Sequence, residues 1–159
     1  MTADFRARPS AFPWPPLVFI VAIILSVVLN VVYSLPWFSG LLGDILFAAG
    51  WLVVLGAVAL YVSALRTMRR ARTTVLPTQP ADHLVTEGAF AITRNPIYLA
   101  ITLLMIGVGL ITGIAWFLLF AVLGAFATQK LAVEPEEKHL EARFGKRYRD
   151  YARRVRRWI

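Results

Sequence analysis

Two short stretches hold most of the side chains that could do chemistry. The first runs from Asp82 through His83, Leu84, Val85, Thr86, Glu87, Gly88, Ala89 and Phe90, then to Arg94, Asn95, Pro96 and Tyr98. The second is Glu134-Pro135-Glu136-Glu137, followed by His139. His83, Glu136 and Glu137 could take a proton from a nucleophile. Arg94 could hold a carboxylate or pair with one of the acids. Three carboxylates within four residues, beside an apolar element, are costly unless used or solvated. A plainer reading stands next to each of these. Asn95 and Pro96 suit a helix start, Asn95 as cap and Pro96 in the first turn. Glu134 to Glu137 suit the N-terminal dipole of another helix. Gly88 permits a turn with positive φ. His83 and His139 show no zinc-type spacing, and without cysteine there is no thiolate ligand, thiol nucleophile or disulfide. No metal site is expected.

The elements that must position these residues are apolar. The chain has 159 residues, 58% of them hydrophobic and only 16% charged. A soluble unit of this size has no interior large enough for that much apolar surface, so lipid is the natural solvent. Residues 1–16 read as a proline-rich leader, flexible or lying on the surface. Leu17 to Leu35 carries no charge and is long enough to cross a hydrocarbon core, a signal anchor in character. Pro36 to Gly43 reads as a turn, with Trp37 and Phe38 at the interface. Ile45 to Leu65 is a second crossing, closed by Arg66, Arg69, Arg70 and Arg72. Residues 17–65 thus hold two spans, and 66–94 a connector broken by Pro77 and Pro80.

Asn95 to Gln129 is uncharged over 35 residues. As one helix it would be about 50 Å long, more than a bilayer needs. Gly107, Gly109, Thr112 and Gly113 offer a break, which predicts a tight hairpin, Ile97 to Ile111 and Ile114 to about Leu131, within 95–132. Charge placement favours the split. The net charge is +8, and with four spans every Lys and Arg falls on one side. The positive-inside rule then puts both termini in the cytoplasm. Basic residues beside apolar spans are explained by topology, so no nucleic-acid partner is expected.

Residues 133–159 form a different kind of segment. Leu140, Phe144, Tyr148, Tyr151, Val155 and Trp158 recur at helical spacing, with basic residues on the other faces and Gly145 as a break between two helices. Such a segment commonly lies in the membrane interface and binds anionic lipid. The fold class is therefore an all-α integral membrane protein with four transmembrane helices, the last two a hairpin, and a C-terminal amphipathic helical segment. The hairpin would return the chain so that the two polar stretches meet.

Read in order, Leu84-Val85-Thr86-x-Gly88, Arg94-Asn95-Pro96-x-Tyr98-Leu99, the glycine-bearing hairpin, Glu136-Glu137-x-x-Leu140, Phe144-Gly145-x-x-Tyr148-x-x-Tyr151 and Arg157-Trp158 resemble the isoprenylcysteine carboxyl methyltransferase family. Related membrane phospholipid methyltransferases share much of the pattern, which covers about Val75 to Trp158. The resemblance implies an S-adenosylmethionine cofactor at the cytoplasmic ends of the last two spans, capped by the tail. It implies cofactor contacts from His83, Leu84, Val85, Gly88, Phe90, Asn95, Pro96, Tyr98, Glu136 and Glu137. It also implies that Arg94, Glu136 and Glu137 position the reactants, and that a lipophilic or prenylated substrate arrives from the bilayer. The chain departs from the family pattern at Gly88-Ala89-Phe90, where a tyrosine is often found, and at Asn95, where histidine is common. A phospholipid or amine N-methyltransferase is the alternative. A nicotinamide-dependent membrane reductase and a four-span protein without catalysis are rivals of other classes. Of the latter, a transport role is weakened because Asp44 alone comes close to a span, at the edge of the second.

Overall fold

The computed structural model describes residues 13–71 and 83–159, and among these the regular structure is helical throughout. Most of the leader, the middle of the connector and Asp82 lie outside the described residues. The chain order is α1 (Trp14–Val32), α2 (Gly40–Arg70), a short 3-10 turn (Gly88–Ala91), α3 (Pro96–Thr112), α4 (Ala115–Thr128), a π-helical segment (Gln129–Val133), α5 (Glu134–Phe144) and α6 (Lys146–Arg154).

The first helix begins before the apolar run at Leu17, because Pro15 sits in its first turn, where a missing N–H costs nothing. The second is longer than its apolar stretch. Arginine is a good helix former, and Arg69 and Arg70 complement the C-terminal dipole of α2, so the helix runs on into the basic cluster. Among the described residues three helices are long and apolar enough to cross a membrane: α1, α2 and the continuous helix Ala115–Phe144, whose hydrophilic part begins at Glu134. The fourth apolar helix, α3, has 17 residues. Much of this apolar surface faces outward, including Ile20, Ile24, Leu52, Leu55, Val122 and Phe126. That is the distribution expected where hydrocarbon replaces water.

The expected break in the long apolar stretch is real, and it falls at one residue. Gly113 ends α3 with φ +69, a left-handed conformation that side chains other than glycine resist. Gly107 and Gly109 serve packing instead. A methyl group on Gly107 would meet Val54 at 2.6 Å and the Gly50 carbonyl at 3.0 Å. On α2, Gly50, Ala57 and Ala64 are buried at intervals of seven residues, and they form the seam against α3.

Of the consecutive helices in the bundle, α1 and α2 are the pair that does not pack together. The partner of α1 is α4, that of α2 is α3, and the α3–α4 hairpin lies between the two pairs. The 33–39 link crosses that hairpin's tip, where Trp37 covers Gly113 and the Trp116 indole donates to the Tyr33 carbonyl at 2.8 Å. The core inside the bundle is Phe19 and Ala22 of α1, Met105 of α3, and Phe117 and Ala121 of α4.

At the opposite end α4 does not stop. Pro135 lacks an N–H, and its ring crowds the carbonyl four residues earlier. One wide turn at Gln129–Val133 absorbs this, so α4 passes into α5 without a new start. Glu134 to Glu137 are therefore not a helix N-terminus. Gly145, at φ +54 and ψ −123, then turns the chain from α5 into α6.

Candidate active site

The two polar stretches meet at this end. Tyr98, in the first turn of α3, brings its hydroxyl to 3.4 Å from both carboxylate oxygens of Glu136 on α5. Arg94, just before α3, places Nη2 2.9 Å from Glu137 Oε1. Consecutive residues on a helix point about 100° apart, so the two acids serve different neighbours. Glu136 faces α3. Glu137 faces the start of that helix and the tail.

Glu137 is clamped from two sides. Besides Arg94 it takes a fork from Arg157, with Nε donating to Oε1 at 3.1 Å and Nη2 to Oε2 at 2.6 Å. This two-point geometry is the strong form of the ion pair. It holds the Arg157 guanidinium more firmly protonated than usual. The chain after α6 lies against residues 93–95 as an extended strap. Arg94 N–H donates to the Arg156 carbonyl at 3.0 Å, and Thr93 Oγ1 and Asn95 Nδ2 donate to the Arg157 carbonyl at 3.1 and 2.9 Å. Tyr151 donates to the Phe90 carbonyl at 2.7 Å, and Trp158 to Gln129 Oε1 at 2.8 Å.

Asn95 stands at the cap position but does not cap with its side chain, because the strap uses it. Pro96 opens α3 as expected. Tyr148 and Tyr151 are 5% and 4% exposed, so this part of the aromatic face packs within the protein and not on lipid. Val155 and Trp158 leave the helical face altogether, since α6 ends at Arg154.

Glu136 differs from its neighbour. Among the described residues no arginine pairs with it, and both Tyr98 contacts are long. Burial pushes its carboxyl up to about 7; the Tyr98 hydrogen bond pulls it down, and the charge of Glu137 raises it further. Glu134, by contrast, is held below the usual carboxylate range by the hydrogen bond from Lys130 at 2.7 Å. Burial lowers the affinity of His139 for a proton, with Arg143 adding to the effect.

The remaining predicted residues lie around this corner without all joining it. Leu84, Val85 and Gly88 line a separate hollow of about 320 Å³ with Thr67 and Arg70 at the end of α2. Gly88 has φ +58 and presses against the Thr67 side chain. His83 is exposed beside that stretch. Phe90 is half-buried, with its carbonyl tied to Tyr151. A larger cavity of about 520 Å³ opens between α5 and α6. From the two polar stretches Arg94, Glu134 and Glu137 line it; Lys138, Tyr148, Arg149 and Arg153 were not among the expected site residues. Their signal was hidden because tyrosine and arginine at helical spacing also describe an interfacial anchor.

A profile described as phospholipid methyltransferase matches residues 45–147, from α2 into α6. The chain belongs to this family. No curated protein and no solved structure matches it. As a phospholipid methyltransferase family member with helices able to cross a bilayer, it is a membrane methyltransferase. The matched region contains the Tyr98–Glu136 and Arg94–Glu137 contacts and stops before the strap that fastens them.

Proposed function

We propose that this protein is an S-adenosylmethionine-dependent methyltransferase acting at the cytoplasmic face of the membrane on a lipid-tailed amine. In this reading α3 is the fourth crossing, about 26 Å long at its 17 residues and near the lower limit for a span. Both termini then face the cytoplasm with all the basic residues.

The observation that carries the reading is the Tyr98–Glu136 pair, formed across the hairpin beside a second, fully occupied acid. The corner fits the proposed cofactor on its own chemistry. Glu136 is a half-buried carboxylate with only long contacts, so it has lone pairs left for an ammonium group or ribose hydroxyls. Tyr98 orients it, and half-buried Phe90 offers an aromatic face nearby in the chain. When bound, S-adenosylmethionine supplies a methyl group already activated on sulfonium.

The chain's own residues then have three tasks. The helices must hold the acceptor in line with that methyl group and exclude water. The Arg94–Glu137–Arg157 clamp keeps α5 and the start of α3 at fixed separation. Glu136 takes the proton that an ammonium acceptor must lose before its nitrogen can attack. A carboxyl near 7 matches that task at neutral pH. A prenylcysteine carboxylate needs no base and would leave Glu136 without a proton to take. The amine is therefore the better fit.

The test is transfer of labelled methyl groups by purified protein into phosphatidylethanolamine and into a prenylated cysteine. Base-stable label on the lipid nitrogen is the expected product. Base-labile methyl ester on the prenylcysteine, with none on nitrogen, would overturn the choice of acceptor.

A further inference from the structure

The cavity between α5 and α6 has a charge balance that the clamp does not explain. Five of the side chains lining it are cationic and three are carboxylates. Each carboxylate is accounted for. Glu137 is taken by Arg94 and Arg157, Glu134 by Lys130, and Glu141 by Arg149 at 3.6 Å. Lys138 and Arg153 have no acidic partner among the described residues. Exposed cations alone would only be solvated, so the deciding group is Tyr148. It is 5% exposed and lines the cavity, yet its hydroxyl has no hydrogen-bond partner among the described residues. Burial pushes that phenol up to about 12, so it stays a neutral O–H donor. An unused hydroxyl and surplus positive charge around one hollow call for an anion with several oxygens.

Position narrows the anion further. Glu134, one of the lining residues, directly follows the last apolar residue of the span, Val133. This wall of the cavity therefore starts where the apolar span ends, at the depth of lipid phosphates. We propose that this cavity is a phosphoester site, seating the phosphate of a glycerophospholipid headgroup on Lys138, Arg153 and the Tyr148 hydroxyl. The inference rests on the proposed function and deepens it, since it places the substrate's phosphate apart from the cofactor's corner at Glu136.

Three ligands titrated into the full chain in detergent test this: dihexanoylphosphatidylethanolamine, inorganic phosphate and S-adenosylmethionine. Losing two charge-assisted contacts predicts that Lys138→Gln/Arg153→Gln weakens the short-chain lipid about tenfold or more. Tyr148→Phe keeps the packed ring and weakens it by about fivefold. Cofactor affinity stays unchanged in both. Parallel weakening of inorganic phosphate supports the site and assigns recognition to the phosphate group itself. Weakening of the lipid alone supports it with the headgroup as the source. Unchanged lipid affinity in both variants overturns the inference, and so does a matching loss of cofactor affinity. If the wild type binds the lipid with this dependence but no S-adenosylmethionine, the phosphoester site stands and the methyl-donor reading falls.

Discussion

Glu136 and Glu137 are adjacent and identical in type, yet their surroundings give them opposite work. Glu137 sits between two guanidinium groups and joins three parts of the fold. Removing it would leave two arginines facing each other across an empty space. Glu137→Gln should cost about 2 kcal/mol, less than the 3–5 expected of a fully buried pair because Arg157 is a third exposed. Thermal unfolding in detergent and faster tryptic cleavage of the tail would register it; an unchanged midpoint would refute the clamp. Glu136→Gln should leave the fold intact and slow transfer to an amine about a hundredfold or more. The sign of its pH dependence follows from the raised carboxyl. The wild-type rate should rise with pH as Glu136 ionises through about 7, and the Gln variant should lose that rise. Stability should run the other way. A carboxyl whose folded pKa is raised from 4.5 to about 7 stabilises the fold fully below 4.5 and loses that contribution by about 7. At pH 8 the Gln variant should therefore melt above the wild type.

At the scale of elements, the hairpin was legible because a 35-residue uncharged stretch is too long for one crossing and glycine marks the bend. The meeting of Tyr98 with Glu136 follows from that geometry. The end of the chain was not legible to the same depth. A period of three and four identifies a helical face, but it does not distinguish a face on lipid from one on protein, and Tyr148 and Tyr151 take the second. Nor does sequence alone show that Arg156 and Arg157 also act through their backbone carbonyls, which accept from residues 93–95. Truncation after Arg154 should therefore unfasten the start of α3 and lower the melting temperature, although it removes no helical residue. Retention of the wild-type midpoint would contradict the strap. Gly107→Val should be worse still, since its branches would enter the space held by Val54 and the Gly50 backbone. Failure of the variant to survive detergent extraction is the expected result, and normal yield would show that the α2–α3 seam tolerates separation.

For the whole molecule, lipid replaces the large core that 159 residues cannot build, and the small protein core serves mainly to fix helix order. That order places α3 and α4 centrally, with their polar continuations at one end under a cap made from the tail. The absence of cysteine gives a direct check of topology. Single cysteines at Ser39 and at Lys146 should label from opposite sides of a sealed vesicle, and labelling from the same side would refute the four-crossing arrangement. The central claim is that the corner made by Tyr98 and Glu136 holds the methyl donor. Its most direct test is equilibrium binding of labelled S-adenosylmethionine to the purified wild type and to Glu136→Gln. The account predicts saturable binding by the wild type and at least about tenfold weaker binding by the variant. Equal affinity in the two proteins, or no binding to either, would contradict it.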